Sequence, residues 1–425
     1  MNRREFIVSA LAAGTVGGAK MAFSQGGGTS AVEQCALPST GLFRVKPHIQ
    51  RLDARTVGVG WMTTRPATGR VDWSQDGGRT WQKAWHEEHG LRSDAGSCVH
   101  CVEIRDYDST KALVCRAVSR EISAFEPYNV VFAGDEVYEE VSLEPTLPQD
   151  GGYSFAVLND VHCNLDVYPT LLPHFGGPVN LTIFNGDIMS SISEESEIYT
   201  YLLAPLAYVT SQTKSPCRYL RGNHETRGGL ARHLHDYLPL QEGRYYGAMS
   251  AGPVRFVFLD TGEDKPDWHS AYFGLVEFES YLNRQIAWLR QEITSSAWNE
   301  ALARVVVMHC PTSGNDQGTE WRSGLTRLDK LEEVLRTARA SVVIAGHTHK
   351  RESDVPCENR PYLQVVGGGP NSNAADPLER PTVTRGDVVG NKLVIRQFDT
   401  QGSEVVHHEV TLSDDLGPRP VLMVE

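Results

Sequence analysis

Ser341 to His349 reads SVVIAGHTH, a β-branched run that ends in a glycine and two histidines two residues apart. Val342, Val343 and Ile344 suit a strand covered on both faces, and Gly346 permits a sharp exit turn. His347 and His349 can then face one ion pocket from a single loop. The same grammar recurs upstream as an apolar strand, a turn, and then Asp, Asn or His. It stands in FAVLNDVH (Phe155 to His162), LTIFNGD (Leu181 to Asp187), CRYLRGNH (Cys217 to His224) and ARVVVMH (Ala303 to His309). The five loops are expected to converge on an ion site.

Asp160 and His162 sit two apart and can grip one ion together, with His349 completing that set. Asp187 follows Gly186, whose missing side chain lets the backbone come close; its carboxylate can bridge two ions about 4 Å apart. Asn223, His309 and His347 offer neutral ligands for the second ion. Mixed nitrogen and oxygen ligation without thiolate favours two divalent transition-metal ions such as Mn, Fe or Zn. Two histidines per ion argue against a site for Mg alone. Singly, each residue has a plainer role as a cap, a turn former or a surface imidazole. Seven of them, spread over five strand ends, are hard to explain that way.

Working outward, the 425-residue chain has 40% hydrophobic and 22% charged residues, an ordinary globular composition. A formal net charge of −13 and the lack of a Lys/Arg stripe argue against nucleic-acid or anionic-membrane binding. Residues 1–25 place Arg3 and Arg4 before Phe6 and FIVSALAAGTVGGA, a run too short and glycine-rich to span a bilayer. That pattern resembles a twin-arginine export leader and implies a periplasmic or extracellular protein. No other apolar stretch approaches membrane length.

Residues 26–40 read as a linker. Residues 41–148 hold short alternating segments, TVGVGWMTT, GRVDWSQ, SCVHCVEIRDY, KALVCRAVSREI and YNVVFAG, which predict an all-β sandwich of about seven strands. Trp61, Trp73, Trp81 and Trp85 are expected as core and edge aromatics. Cys98 and Cys101 in CVHC read as small strand residues or as half of one disulfide. Residues 149–415 alternate strands with helical stretches at Glu194 to Thr210, Phe278 to Thr294 and Leu328 to Ala338, an α/β pattern, and 416–425 form a tail. Ligands of open α/β sheets collect beyond the carboxyl ends of strands, where all five loops fall.

Asp160-Val-His162, Gly186-Asp187, Gly222-Asn223-His224-Glu225, His309 and Gly346-His347-Thr-His349 resemble the ordered blocks of the calcineurin-like metallophosphoesterase superfamily. The resemblance implies two mixed sheets packed as a sandwich with helices outside. It places Asp160, His162, Asp187 and His349 on one metal, and Asp187, Asn223, His309 and His347 on the other. An all-β domain before such a domain also resembles the layout of purple acid phosphatases. Their tyrosine ligand, three residues after the bridging Asp, is Ser190 here, so a required ferric ion is not expected. The Asp and Arg that follow the G-D block in the protein phosphatases acting on phosphoserine are likewise missing from Ser190-Ser191-Ile192.

The family pattern implies hydrolysis of a small phosphate ester by a hydroxide bridging two cations. His224, beside Asn223, is the candidate general acid, with Glu225 or Asp260 as candidate carboxylate partners. Arg221, Arg227 and Asn164 are candidate phosphate contacts. A cyclic-nucleotide or other phosphodiesterase would carry the same blocks. A cell-surface binding protein with an idle second domain would be expected to lack ligands, and none is missing.

Overall fold

The computed structural model describes Val32 and residues 41–147, 151–312 and 326–412. The expected leader (1–25), the linker apart from Val32, the tail (416–425) and most of the loop Thr312 to Arg322 lie outside the described residues.

Strands β1 (Phe43–Arg51), β2 (Val57–Ala67), β3 (Arg70–Ser74), β4 (Gln82–Ala84), β7 (Ser97–Ile104), β8 (Leu113–Glu126) and β9 (Asn129–Leu143) form the amino-terminal part, with a two-residue pair β5 (Glu87–Glu88) and β6 (Leu91–Arg92) between them. One layer pairs β1, β2 and β7, the other β4, β3, β8 and β9, and β2 passes from one to the other at Ala67↔Glu121. Alternating residues of both layers meet in one core, including Val59, Trp61, Val71, Trp73, Val102, Cys115 and Val141. Trp81 and Trp85 lie at the edge beneath Arg116 and Arg92. Cys98 and Cys101 are both free thiols.

Beyond residue 150 come β10 (Tyr153–Leu158), β11 (Leu181–Asn185), β12 (Cys217–Leu220), β13 (Gly247–Ala251), β14 (Val254–Leu259), β15 (Ala303–Met308), β16 (Val342–Ala345), β17 (Glu352–Asp354), β18 (Leu363–Val366), β19 (Thr382–Val389), β20 (Lys392–Asp399) and β21 (Glu404–Thr411). They make two mixed sheets. In one, β10, β11 and β12 run parallel, flanked by antiparallel β19, β20 and β21. In the other, β14, β15, β16 and β18 run parallel between antiparallel β13 and β17. The inner faces share a core of Phe155, Val157, Ile183, Phe256, Val305 and Ile344. Helices cover both outer faces, giving four layers. Strands covered on both sides explain the unbroken apolar runs that precede each motif.

Helix Phe278–Glu292 buries Leu282, Ile286 and Leu289, the face expected from its spacing. The stretch from Glu194 is not one regular helix. A capping box at Glu194 starts Glu195–Ile198, a π turn occupies Tyr199–Leu203, and Ala204–Thr213 resumes the α form. Pro205 has no N–H for the i→i−4 bond, and the wider turn accommodates its ring.

The two parts share a sheet. Gln50 of β1 pairs with Cys217 of β12, and its side-chain Oε1 accepts the backbone N–H of Tyr219 across 3.0 Å. The strand that ends in Asn223 is thereby braced by the amino-terminal sandwich.

Candidate metal centre

Each motif side chain leaves the carboxyl end of β10, β11, β12, β15 or β16, and the two sheets point these ends at one rim. Asp160, His162, Asp187, His347 and His349 all hold positive φ, between 46° and 76°. Such backbone is costly for side-chain-bearing residues and accumulates where geometry outranks propensity. Gly186 is required for a different reason. A Cβ there would stand 2.6 Å from the Gly222 backbone and from Nδ1 of His309.

Asp160, His162, Asp187 and His349 bring their donor atoms within 4.8 Å of one another, as do Asp187, His309 and His347. Asp187 belongs to both groups. Its Oδ2 lies 3.1 Å from Nε2 of His309 and 3.5 Å from Nε2 of His162. Oδ1 of Asp160 lies 3.5 Å from Nε2 of His349, which in turn faces Nε2 of His162 at 2.8 Å. Donors held at about 2.1 Å from a shared ion stand about 3.0–3.4 Å apart. The observed separations sit around that range.

Asn223 tests the fit. Its Oδ1 stands 3.1 Å from Oδ2 of Asp187, 3.1 Å from Nδ1 of His347 and 3.2 Å from Nε2 of His309. Turning the amide would satisfy these atoms with N–H groups and let oxygen accept from Arg227, but the orientation as found aims lone pairs at one point. In either orientation the Asn223 amide lies within reach of Asp187, His309 and His347. The local field agrees: burial alone would lower His309, yet Asp187 and Asp160 push it up to about 10. Burial pushes His162 and His347 down to about 3, so both rings are neutral and keep a lone pair. Nδ1 of His309 donates to the carbonyl of Asn185 at 2.9 Å, which leaves Nε2 for the centre. The residues present fit divalent metal, with Asp187 common to both donor groups.

His224 stands beside the donors, its ring 4.6 Å from that of His162 and its Nε2 3.9 Å from Oδ2 of Asp187. Nδ1 donates to the Ser190 carbonyl at 2.9 Å, and Nε2 accepts from Nη1 of Arg227 at 2.9 Å. Neither expected carboxylate partner serves it. Glu225 is fully buried and takes the backbone N–H groups of Asp187, Ile188, Met189 and Gly222, tying two ligand loops together. Asp260 pairs with Arg221 at 2.7 Å and accepts from Tyr281.

The candidate phosphate contacts therefore separate. Arg221 is bound to buried Asp260 and lies over Tyr245. Asn164 spends its amide on the Pro370 carbonyl at 2.8 Å. Arg227 remains at the centre, held by both oxygens of Glu263 at 3.0 and 3.1 Å. Glu263 and the Ser190 carbonyl went unnoticed in the sequence. A carbonyl carries no residue signature, and Glu263 is 36 positions from the arginine it holds.

An edge of parallel strands bearing this donor set is the architecture of metal-dependent phosphoesterases. Residues 153–351 match the model of the calcineurin-like phosphoesterase family, and the chain carries a domain of that family. Among solved structures, a purple acid phosphatase, PPD1, from yellow lupin (Lupinus luteus) seeds superposes with a TM-score of 0.64 at 12% identity, covering 89% of this chain and 77% of that one. PhoD superposes with a TM-score of 0.57 at 12% identity, covering 86% of this chain and 88% of its own. At such identity the likeness speaks for the fold, and both matches extend beyond the phosphoesterase domain. No curated protein matches by sequence.

Proposed function

We propose that this protein is an exported phosphoesterase that hydrolyses a small phosphate ester at a centre of two divalent metal ions, Mn, Fe or Zn. The observation that carries the reading is Asp187, shared by two donor groups, with His224 alongside. Asp160, His162, Asp187 and His349 would hold one ion, and Asp187, Asn223, His309 and His347 the other. When bound, the ions supply the charge that neutralises phosphoryl oxygens and makes water a nucleophile near neutral pH.

The remaining work falls to the chain. Arg227 presents its guanidinium to a phosphoryl oxygen while Glu263 keeps it in place. Phosphate competes with Nε2 of His224 for that guanidinium, which frees Nε2 to take up a proton from solvent and pass it to the departing oxygen. The Ser190 carbonyl holds the ring at Nδ1 during the transfer. Residues 41–148 act as a bracing sandwich for the phosphoesterase domain at 149–415.

Export rests on Arg3 and Arg4 in the leader; among the described residues no helix is long and apolar enough to cross a membrane. Purified protein supplied with Mn or Zn should hydrolyse p-nitrophenyl phosphate, with its bis ester assayed beside it to detect diesterase activity. Inactivity on both at full metal occupancy would instead favour the binding-protein reading.

A further inference from the structure

The loop that holds Arg227 also carries three large exposed apolar side chains. Trp268 is 81% exposed, Phe273 85% and Leu275 68%. Scattered exposed hydrophobics are ordinary, but these three fall within eight residues of the loop tied to Arg227.

Both limbs of this loop touch Arg227 or its carboxylates. Glu263 pairs with the guanidinium, Asp264 approaches it at 3.5 Å, and Tyr272 returns to donate its hydroxyl to Glu263 at 3.0 Å. Phe273 is one residue further on, and its φ of 51° is a conformation aromatic residues avoid. Gly274, at φ 73°, completes the tip, and Arg232 donates to the Leu275 carbonyl. Trp268 follows Asp264 by four residues, a reach of at most about 14 Å. Phe273 is thereby tethered, through Tyr272 and Glu263, to the arginine that contacts His224.

We propose that Trp268 and Phe273 form a stacking rim that selects phosphate esters whose leaving group is a planar aromatic ring. The inference rests on the phosphoesterase reading. On that reading His224 serves the departing oxygen, and what that oxygen carries would leave on His224's side, toward this loop. A planar ring would lie against the two aromatic faces, whereas a short polyol would find no partner there. Glu263 and Tyr272 couple the rim to Arg227, so the same loop positions phosphate and reads its substituent.

The test is calorimetric titration of the Mn-loaded full chain with 2-naphthylmethylphosphonate and with propylphosphonate, neither of which is hydrolysed. The aromatic ligand should bind about tenfold more tightly, and Trp268→Ser/Phe273→Ser should abolish that preference without changing propylphosphonate affinity. In turnover, the KM for 2-naphthyl phosphate should rise about tenfold in the variant, with glycerol phosphate unaffected. Equal affinity of the wild type for the two phosphonates, a preference that survives in the variant, or equal loss of both ligands would overturn the rim. Retained preference in a wild type that turns over no ester would sink the phosphoesterase reading and leave the rim standing.

Discussion

Arg227 donates to Nε2 of His224 across 2.9 Å, while the opposite ring nitrogen donates to the Ser190 carbonyl. A guanidinium cannot accept and a carbonyl cannot donate, so in this arrangement Nδ1 is the donor and Nε2 the acceptor. On the proposed mechanism, Nε2 becomes available to the departing oxygen only when phosphate draws Arg227 away.

His224→Ala should keep its metal and lower kcat by about a hundredfold or more, as expected for loss of a general acid. Arg227→Ala should raise KM by about ten- to a hundredfold, the worth of a charge-assisted bond to phosphate. Steady-state kinetics with metal content measured on the same samples separates the two. An unchanged KM in the second variant would remove Arg227 from the binding role.

Asp187→Asn should lose metal and activity together, because one carboxylate serves both donor groups. Metal affinity should fall by at least about a hundredfold, beyond the effect of removing a supporting hydrogen bond. Elemental analysis after dialysis reads the result, and full metal content in the variant contradicts the bridging role.

Arg221→Ala should behave quite differently from Arg227→Ala although both lie in one short segment. It strands the buried carboxylate of Asp260 and should cost about 3 kcal/mol or more in urea unfolding. The KM of the folded fraction should stay unchanged. A raised KM with unaltered stability would return Arg221 to the list of phosphate contacts.

Glu225→Gln should also be a stability variant. The carboxylate takes four backbone N–H groups, and an amide nitrogen would face some of those donors. The expected loss is about 3 kcal/mol, with weakened metal binding because the loops of Asp187 and Asn223 are no longer tied. Unchanged unfolding would show that the N–H groups find other partners.

His48 gives a pH signature far from the metal centre. It is fully buried, and burial pushes it down to about 3 from 6.5. As pH falls below about 6.5 the unfolded chain binds this proton and the folded chain does not. The contribution is complete above that pH and drains away toward pH 3 at about 1.4 kcal/mol per unit. Urea unfolding at pH 7, 6 and 5 should therefore show a steeper loss in the wild type than in His48→Leu. Parallel slopes would mean that the ring takes up its proton equally in the folded and unfolded chain.

The strand ends were legible because parallel strands covered on both sides leave unbroken apolar runs, and the polar residue after each run stands out. Asp160, Asp187, Asn223, His309 and His347 all follow such runs, and the structure gathers them at one rim. The supporting bonds were not legible. Asp260 ends an equally clean strand, VRFVFLD, yet its carboxylate is spent on Arg221 and Tyr281. Glu225 and Arg227 follow the same motif, but their partners depend on how separated loops meet, and pattern cannot supply that. The π turn before Pro205 shows the same limit inside a helix, where apolar spacing continues while the hydrogen bonding changes.

The ladder between Gln50 and Cys217 ties residues 167 positions apart. During synthesis, β1 must wait with an open edge until β12 emerges, a long-range closure that slows folding and exposes a template for misassociation. Severing the chain near residue 150 should therefore release two fragments that are each prone to aggregate, the first with a bare strand and the second with its asparagine-bearing strand unbraced.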